Sequence, residues 1–182
     1  MRVIAGRFKG RRLKPPAWDG LRPSSDKLRE TLFNILAPSV SDARVLDGYA
    51  GTGAIGIEAL SRGAAHVTFI ERDPRAAALI EQNLTACGIE GGYTIHCGDI
   101  VTVLPRLGDT FDLILLDPPY DIVAFTGGLE ASARVLARDG RLVLEHATRR
   151  EPDAPSSLER VRDVKSGDST LSFFVAPARS KE

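Results

Sequence analysis

Only two cysteines, Cys87 and Cys97, occur in 182 residues. Their separation matches no metal-ligand spacing and no disulfide framework. Two small residues of this kind fit the interior of a protein kept in a reducing compartment. Histidine is as sparse, with His66, His96 and His146 alone. No His-Glu-x-x-His run and no cysteine partner accompanies them, so no metal is expected. The chain has neither a G-x-S-x-G elbow nor a Walker loop, which removes serine-hydrolase and P-loop chemistry. No apolar run approaches the roughly 18–20 residues of a membrane span. The opening stretch, Met1 to Pro16, lacks the apolar core of a signal peptide. The expectation is a cytoplasmic protein with no membrane partner. There is no internal repeat, no low-complexity tract and no net charge.

What is present is ordinary in amount and uneven in placement. A composition of 43% hydrophobic and 26% charged residues suits one soluble domain with one good core. Zero net charge argues against a nucleic-acid partner until the distribution is examined. Arg2, Arg7, Lys9, Arg11, Arg12 and Lys14 all precede the first acid, Asp19, and Arg22, Lys27 and Arg29 follow. Positive charge gathered at one end points to phosphate backbones. Residues 1–16 alternate around glycines and read as a short β-ribbon with a turn near Gly6. Pro15 and Pro16 end it. Ser24 or Ser25 then caps a helix whose apolar face is Leu28, Leu32, Phe33, Ile35 and Leu36, and Pro38 stops it.

From Ala43 the rhythm is strand then helix. Strands are expected at 43–47, 66–71, 93–97, 111–117 and 140–146. Helices are expected at 54–62, 74–87 and 127–138, with a short helical turn ending near Leu107. Leu113 to Leu116 is apolar at every position, as in a parallel strand covered on both faces. The last segment differs. Residues 158–177 read as strand, tight turn at Ser166-Gly167-Asp168, and strand, with no room for a helix between them. The expected fold is α/β, a doubly wound Rossmann-like sheet of seven strands ending in an antiparallel hairpin. A small ribbon and helix precede it.

Gly51, Gly53 and Gly56 spell the dinucleotide fingerprint G-x-G-x-x-G, and Glu71 stands twenty residues past Gly51, where a ribose-binding acid belongs. Asp47, four residues before Gly51, argues against that ligand. Such sheets bind beyond the carboxyl ends of their strands. Here those ends present Asp47, Glu71, Cys97-Gly98-Asp99 and Asp117-Pro118-Pro119-Tyr120, with no lysine or arginine among them. A pyrophosphate would be repelled by Asp47. S-adenosylmethionine (AdoMet) carries an ammonium instead, which Asp47 attracts by a few kcal/mol at about 4 Å. Glu71 suits ribose hydroxyls, and Asp99 can accept from the adenine amino group.

The run Asp117-Pro118-Pro119-Tyr120 is the most specific signal. An exocyclic amine on a nucleobase is a poor nucleophile because its lone pair is delocalised into the ring. The Asp117 carboxylate and the Pro118 carbonyl, held by rigid prolines, would accept its hydrogens and stabilise charge growing on nitrogen. Tyr120 would stack on a flipped base.

An aspartate loop of the form D-x-x-x-G-x-G with an acid-Pro-Pro-aromatic loop resembles class I methyltransferases that modify exocyclic amines. The whole chain resembles the RsmD-type bacterial methyltransferases of small-subunit ribosomal RNA. The stretches that carry this are residues 1–14, 22–36, 45–73, 111–120 and 167–174, in order from end to end. The resemblance implies transfer of a methyl group from AdoMet to N2 of guanine 966 of 16S rRNA. The substrate would be a small-subunit particle and the enzyme a monomer without metal. It implies an RNA-contacting extension over 1–40 and a methyltransferase domain over 41–182. The implied cofactor-binding residues are Asp47, Tyr49, Gly51, Thr52, Gly53, Glu71, Arg72, Asp99 and Ile100. The implied catalytic residues are Asp117, Pro118, Pro119 and Tyr120. Arg7, Lys9, Arg11, Arg12, Arg22 and Arg29 would touch RNA. The family usually has Leu-Phe where this chain has Gly48-Tyr49, and Gly48 is expected to leave room at the strand end. The same proline loop also serves DNA adenine-N6 and cytosine-N4 methyltransferases, but no separate target-recognition domain fits in this length. A non-catalytic RNA-binding assembly factor would keep the basic front without needing Asp47, Glu71 and the proline loop together.

Overall fold

Apolar runs bounded by turns become strands, and the periodic segments between them become helices, in the computed structural model, which describes residues 1–19, 25–119 and 125–178. The order is α1 (Asp26–Leu36), β1 (Arg44–Gly48), α2 (Ala54–Ser61), β2 (His66–Glu71), α3 (Pro74–Ala86), β3 (Tyr93–Cys97), α4 (Ile100–Leu107) and β4 (Phe111–Leu116). Then follow α5 (Thr126–Val135), β5 (Leu136–Ala147), β6 (Glu159–Ser166) and β7 (Ser169–Val175). The seven strands make one sheet in the order β3-β2-β1-β4-β5-β7-β6. The first five are parallel, and β7 runs antiparallel to β5 and β6. The doubly wound α/β sheet and its closing hairpin are as the sequence implied. Strand order reverses between β1 and β4, which is where such sheets open a ligand crevice.

Alternate strand residues serve opposite faces. Val45, Phe69, Leu113, Leu115 and Val143 pack with Leu28, Leu32 and Phe33 of α1, Ile57 of α2 and Ile80 of α3. Leu46, Ile70, Ile114, Leu116 and Leu144 pack on the other face with Ile100 and Leu104 of α4 and Leu129 of α5. Gly56 lets α2 lie close on the sheet. A Cβ there would stand 2.2 Å from Phe69 Cε1 and 2.8 Å from Val67 Cγ1. Gly56→Ala is therefore expected to cost about 1–3 kcal/mol from overpacking, outweighing the better helix propensity of alanine. A urea unfolding midpoint that does not fall would contradict this.

Three local expectations change. The ribbon over residues 1–16 is reduced to a single antiparallel bridge, Arg2 with Arg12. Val3 N donates to Arg11 O, Gly10 N to Val3 O and Leu13 N to Met1 O across it, and other backbone groups bond to side chains of helices far along the chain. Glu58 of α2, fully buried, accepts from Ile4 N at 2.7 Å and Ala5 N at 3.0 Å. Ser61 Oγ accepts from Phe8 N at 3.0 Å and donates to Ala5 O at 2.5 Å. Gly6 is needed for this approach, since a Cβ there would sit 1.8 Å from Ser61 O. The helical turn near Leu107 is a two-turn helix, α4, capped by Asp99. The helix expected at 127–138 stops at Val135, because β5 already begins at Leu136, paired with Phe111. Ser25, one of the two expected caps of α1, accepts from Leu28 N at 3.2 Å.

Candidate active site

Four neighbouring strands carry carboxylates at or near their carboxyl ends on one face of the sheet. Asp47 follows Val45 on β1, Glu71 follows Phe69 on β2, Asp117 follows Leu115 on β4 and Glu145 follows Val143 on β5, each two residues on. With a period of two, each acid shares the face of the apolar residue before it, the face covered by α1 and α2.

Asp47 is fully buried. Its Oδ2 accepts from Gly56 N at 2.8 Å in the first turn of α2. Its Oδ1 has no partner among the described residues. Burial pushes the Asp47 carboxyl well above the usual carboxylate range, Gly56 N–H draws it back, and the charges of Asp117 and Glu71 raise it further. The three acids therefore share one electrostatic site. Glu71 braces the glycine loop, with Oε2 accepting from Gly51 N and Oε1 from Asp73 N, both at 2.8 Å.

The loop itself is strained. Tyr49 has φ of 63°, a left-handed conformation shared by Gly51 at 55° and Gly53 at 77°. A bulky residue there costs on the order of 1–3 kcal/mol, and such strain gathers at ligand sites. Burial raises the Tyr49 hydroxyl above its ordinary value, nearby Asp99 raises it too, and Arg72 lowers it. These three expected cofactor residues thus stand together. Asp99 is exposed and caps α4 through Val101 N at 2.9 Å, while Ile100 is buried in the second core. Thr52 is buried, and its carbonyl accepts from Asn83 Nδ2 at 3.0 Å. Asn83 Oδ1 in turn accepts from Lys14 N at 2.7 Å, so one α3 side chain joins the glycine loop to the basic front. Sequence reasoning missed Asn83, Glu58 and Ser61, because nothing in their local pattern announces a partner more than fifty residues away.

Pro118 is buried and Pro119 exposed just past β4, and Asp117 N lies 3.4 Å from Gly48 O. Tyr120 and Arg22 lie outside the described residues. Asp117 and Glu145 line one small cavity with Leu28, Arg29, Leu32 and Ile55. No group of three or more His, Cys, Asp or Glu among the described residues is arranged to hold a metal ion. No helix among them is long and apolar enough to cross a membrane.

Arg7, Lys9, Arg11 and Arg12 are exposed. Arg7 and Arg11 lie over the Phe8 ring, 5.3 and 5.2 Å from its centroid. Arg11 also donates to Cys87 O at the end of α3. Arg29 departs from expectation. It is 1% exposed, bonded to Arg2 O at 2.8 Å and paired with Asp26 at 2.7 Å, with Glu58 at 3.9 Å. A guanidinium buried and paired in this way ties α1 to the N-terminal segment and is not available to RNA phosphates.

A family model described as Conserved hypothetical protein 95 matches residues 1–175. The ribosomal RNA small subunit methyltransferase D of Escherichia coli (strain K12) is 36% identical over 161 residues, covering 88% of this chain and 79% of that protein. The chain belongs to the small subunit methyltransferase D family. A relative named putative rRNA methyltransferase YlbH, from Bacillus subtilis (strain 168), is 36% identical over 163 residues, with 87% and 88% of the two chains covered. The solved structure of the putative methyltransferase yhhF from Escherichia coli superposes with a TM-score of 0.86 at 32% identity, over 98% of this chain and 99% of that one.

Gly48 does not open the space expected of it. A Cβ there would stand 2.6 Å from Leu116 Cδ2 and 2.7 Å from Ile100 Cδ1. Those side chains already fill the place that a larger residue would take.

Proposed function

We propose that this protein transfers a methyl group from AdoMet to the N2 amine of a guanine in small-subunit ribosomal RNA. Family membership along nearly the whole chain supports the reaction class. One observation carries the site assignment. Asp117 N lies 3.4 Å from the carbonyl of Gly48, the residue after the buried Asp47, so the amine-accepting loop adjoins the glycine loop. Asp47 Oδ1, buried and unpartnered among the described residues, fits the ammonium of AdoMet, which satisfies both its charge and its missing hydrogen bond. Glu71, fixed by Gly51 and Asp73, keeps lone pairs for ribose hydroxyls. Tyr49, Arg72, Asp99 and Ile100 would enclose the adenosine end, with Thr52 and Gly53 shaping the loop.

AdoMet supplies an activated methyl group. The chain supplies acceptors and position. The Asp117 carboxylate and the Pro118 carbonyl accept the two N2 hydrogens, which directs the nitrogen lone pair and stabilises the positive charge that grows there. A methylated N2 is strongly acidic, so Asp117 takes its proton without being a strong base. Pro119 stiffens the turn, and Tyr120 would stack on the extruded base. Methylation of small subunits lacking the modification, using labelled AdoMet and mapping of the modified nucleotide, tests this reading. A label on any atom other than a guanine N2 would refute it.

The exposed basic front would hold RNA phosphates outside this site. Arg7→Glu together with Arg12→Glu is expected to weaken RNA binding several-fold at low salt. The slope of log affinity against log salt should shrink by about one to two, roughly one for each phosphate no longer neutralised. An unchanged slope would return these residues to a solvated surface.

A further inference from the structure

Acids crowd this end of the sheet, and one cation stands among them. Asp47, Glu58, Glu71 and Glu145 are buried, and Arg29 is the one arginine or lysine buried with them among the described residues. Leu116 of β4 pairs with Leu144 of β5, so Asp117 and Glu145 come next at the same level on neighbouring parallel strands, whose backbones lie about 4.8 Å apart. Two carboxylates so close resist ionising together. Neither is without a partner. Both line the cavity that the Arg29 side chain also lines, and its volume of about 10 Å³ admits roughly one water. Charges around so small a space meet with little solvent to screen them.

Arg29 is fixed in place by other groups. Its Nη2 donates to Arg2 O at 2.8 Å and to Asp26 at 2.7 Å, and its Nη1 donates to Ala54 O at 3.4 Å. Its Nε has no hydrogen-bond partner among the described residues. Asp26 is half exposed, and Glu58 has a second cation in Arg62 at 2.7 Å. Neither acid therefore cancels the whole charge of Arg29. The charged groups around Asp117 are Arg29 from α1, Asp47 from β1 and Glu145 from β5, with Glu58 of α2 and Glu71 of β2 behind them. β7 brings only the uncharged Leu171 to the cavity. A carboxyl that kept its proton would offer the amine a hydroxyl in place of an acceptor. We infer that Arg29 is a positioning residue for methyl transfer, whose buried charge keeps Asp117 and Glu145 ionised together and Asp117 thereby an acceptor for the amine. The assignment rests on the role given to Asp117 above.

The test follows the Asp117 carboxyl directly, by carbon-13 NMR of protein labelled at its aspartate carboxyl carbons. The signal is assigned from its loss in Asp117→Asn. Wild-type Asp117 is expected to be ionised at pH 7. In Arg29→Gln its midpoint is expected at least about one pH unit higher, and adding Glu145→Gln is expected to reverse most of that rise. Removing one buried charge of a pair is strongly destabilising. Arg29→Gln is therefore also made together with Glu58→Gln, which removes the charges as a pair and carries the same expectation. Single-turnover methylation of small subunits at saturating AdoMet is expected to lose rate on the acid side at the same raised midpoint. A merely structural arginine would lower the rate equally at every pH. Asp117 still protonated at pH 7 in the wild type overturns the assignment without any variant. So does an unchanged midpoint in either folded variant, or a rise that Glu145→Gln does not reduce. A midpoint that rises while methylation keeps its wild-type pH profile overturns the acceptor role of Asp117 itself, on which the assignment rests.

Discussion

Asp117→Ala is expected to lower the rate of methyl transfer by about 10²–10³-fold or more, with AdoMet affinity changed by no more than a few-fold. The residue follows directly on β4 at the switch in strand order, where its carboxylate would act on the amine and not on the cofactor. The interaction is worth most when charge has grown on nitrogen, so the loss should fall on kcat more than on KM. Removing a negative neighbour also eases the ionisation of Asp47, to which Asp117 adds repulsion. That effect favours cofactor binding slightly. Single-turnover methylation beside calorimetric AdoMet titration separates the two quantities. A variant that fails to bind AdoMet would place Asp117 in the cofactor site and sink the division of roles proposed here.

Asp47→Asn should produce two effects of opposite sign. The amide still accepts from Gly56 N but carries no charge for the AdoMet ammonium, so affinity should fall roughly 10- to 100-fold. The ligand-free protein should become more stable. The Asp47 carboxyl, whose ordinary value is 3.8, is raised well above it in the folded protein, chiefly by burial and then by Asp117 and Glu71 against the pull of Gly56. A group whose folded pKa is raised contributes stability below the unfolded value and loses it as pH climbs through the folded one. Above pH 4 the wild-type protein therefore loses stability that the asparagine variant keeps. Thermal midpoints of both proteins without AdoMet, measured from pH 4 to pH 8, should diverge as pH rises, with the variant higher. A wild-type protein that gains on the variant with rising pH would show that Asp47 is charged and satisfied without a ligand.

Most of the sheet was legible because its rules are local. Leu113 to Leu116 is apolar without interruption, and only a strand covered on both faces suits such a run. The β6–β7 turn followed from Gly167 and the short spacing around it, and Gly167 does take a left-handed φ of 62°. What sequence could not reveal was where a polar group spends its hydrogen bonds. The alternation of residues 1–16 suggested self-pairing, which Arg2 and Arg12 and the bonds beside them show, but it gave no sign that the same backbone also bonds to Glu58, Ser61 and Asn83. Arg29 counted as one more surface charge, because its partner Glu58 lies a helix and a strand away. Gly48 looked like an open position until Leu116 and Ile100 were seen to occupy it. At the site, Asp47, Glu71 and Asp117 were found by asking what each strand end presents. Glu145 gave no such sign, because it lies inside β5, two residues before the strand ends at Ala147.

The side chains that hold the basic front also fix when it can form. Ile4 waits for Glu58, Phe8 for Ser61 and Lys14 for Asn83, partners 53 to 69 residues downstream. A chain made at roughly 5–20 residues per second leaves the front without its supports for several seconds of synthesis. Asn83 also contacts the loop at Thr52, so the last support to be translated is the one that touches both. Newly made chains thus acquire an ordered basic surface only once the glycine loop has its own support, and a nascent chain stalled before α3 would display positive charge with no shaped surface to carry it.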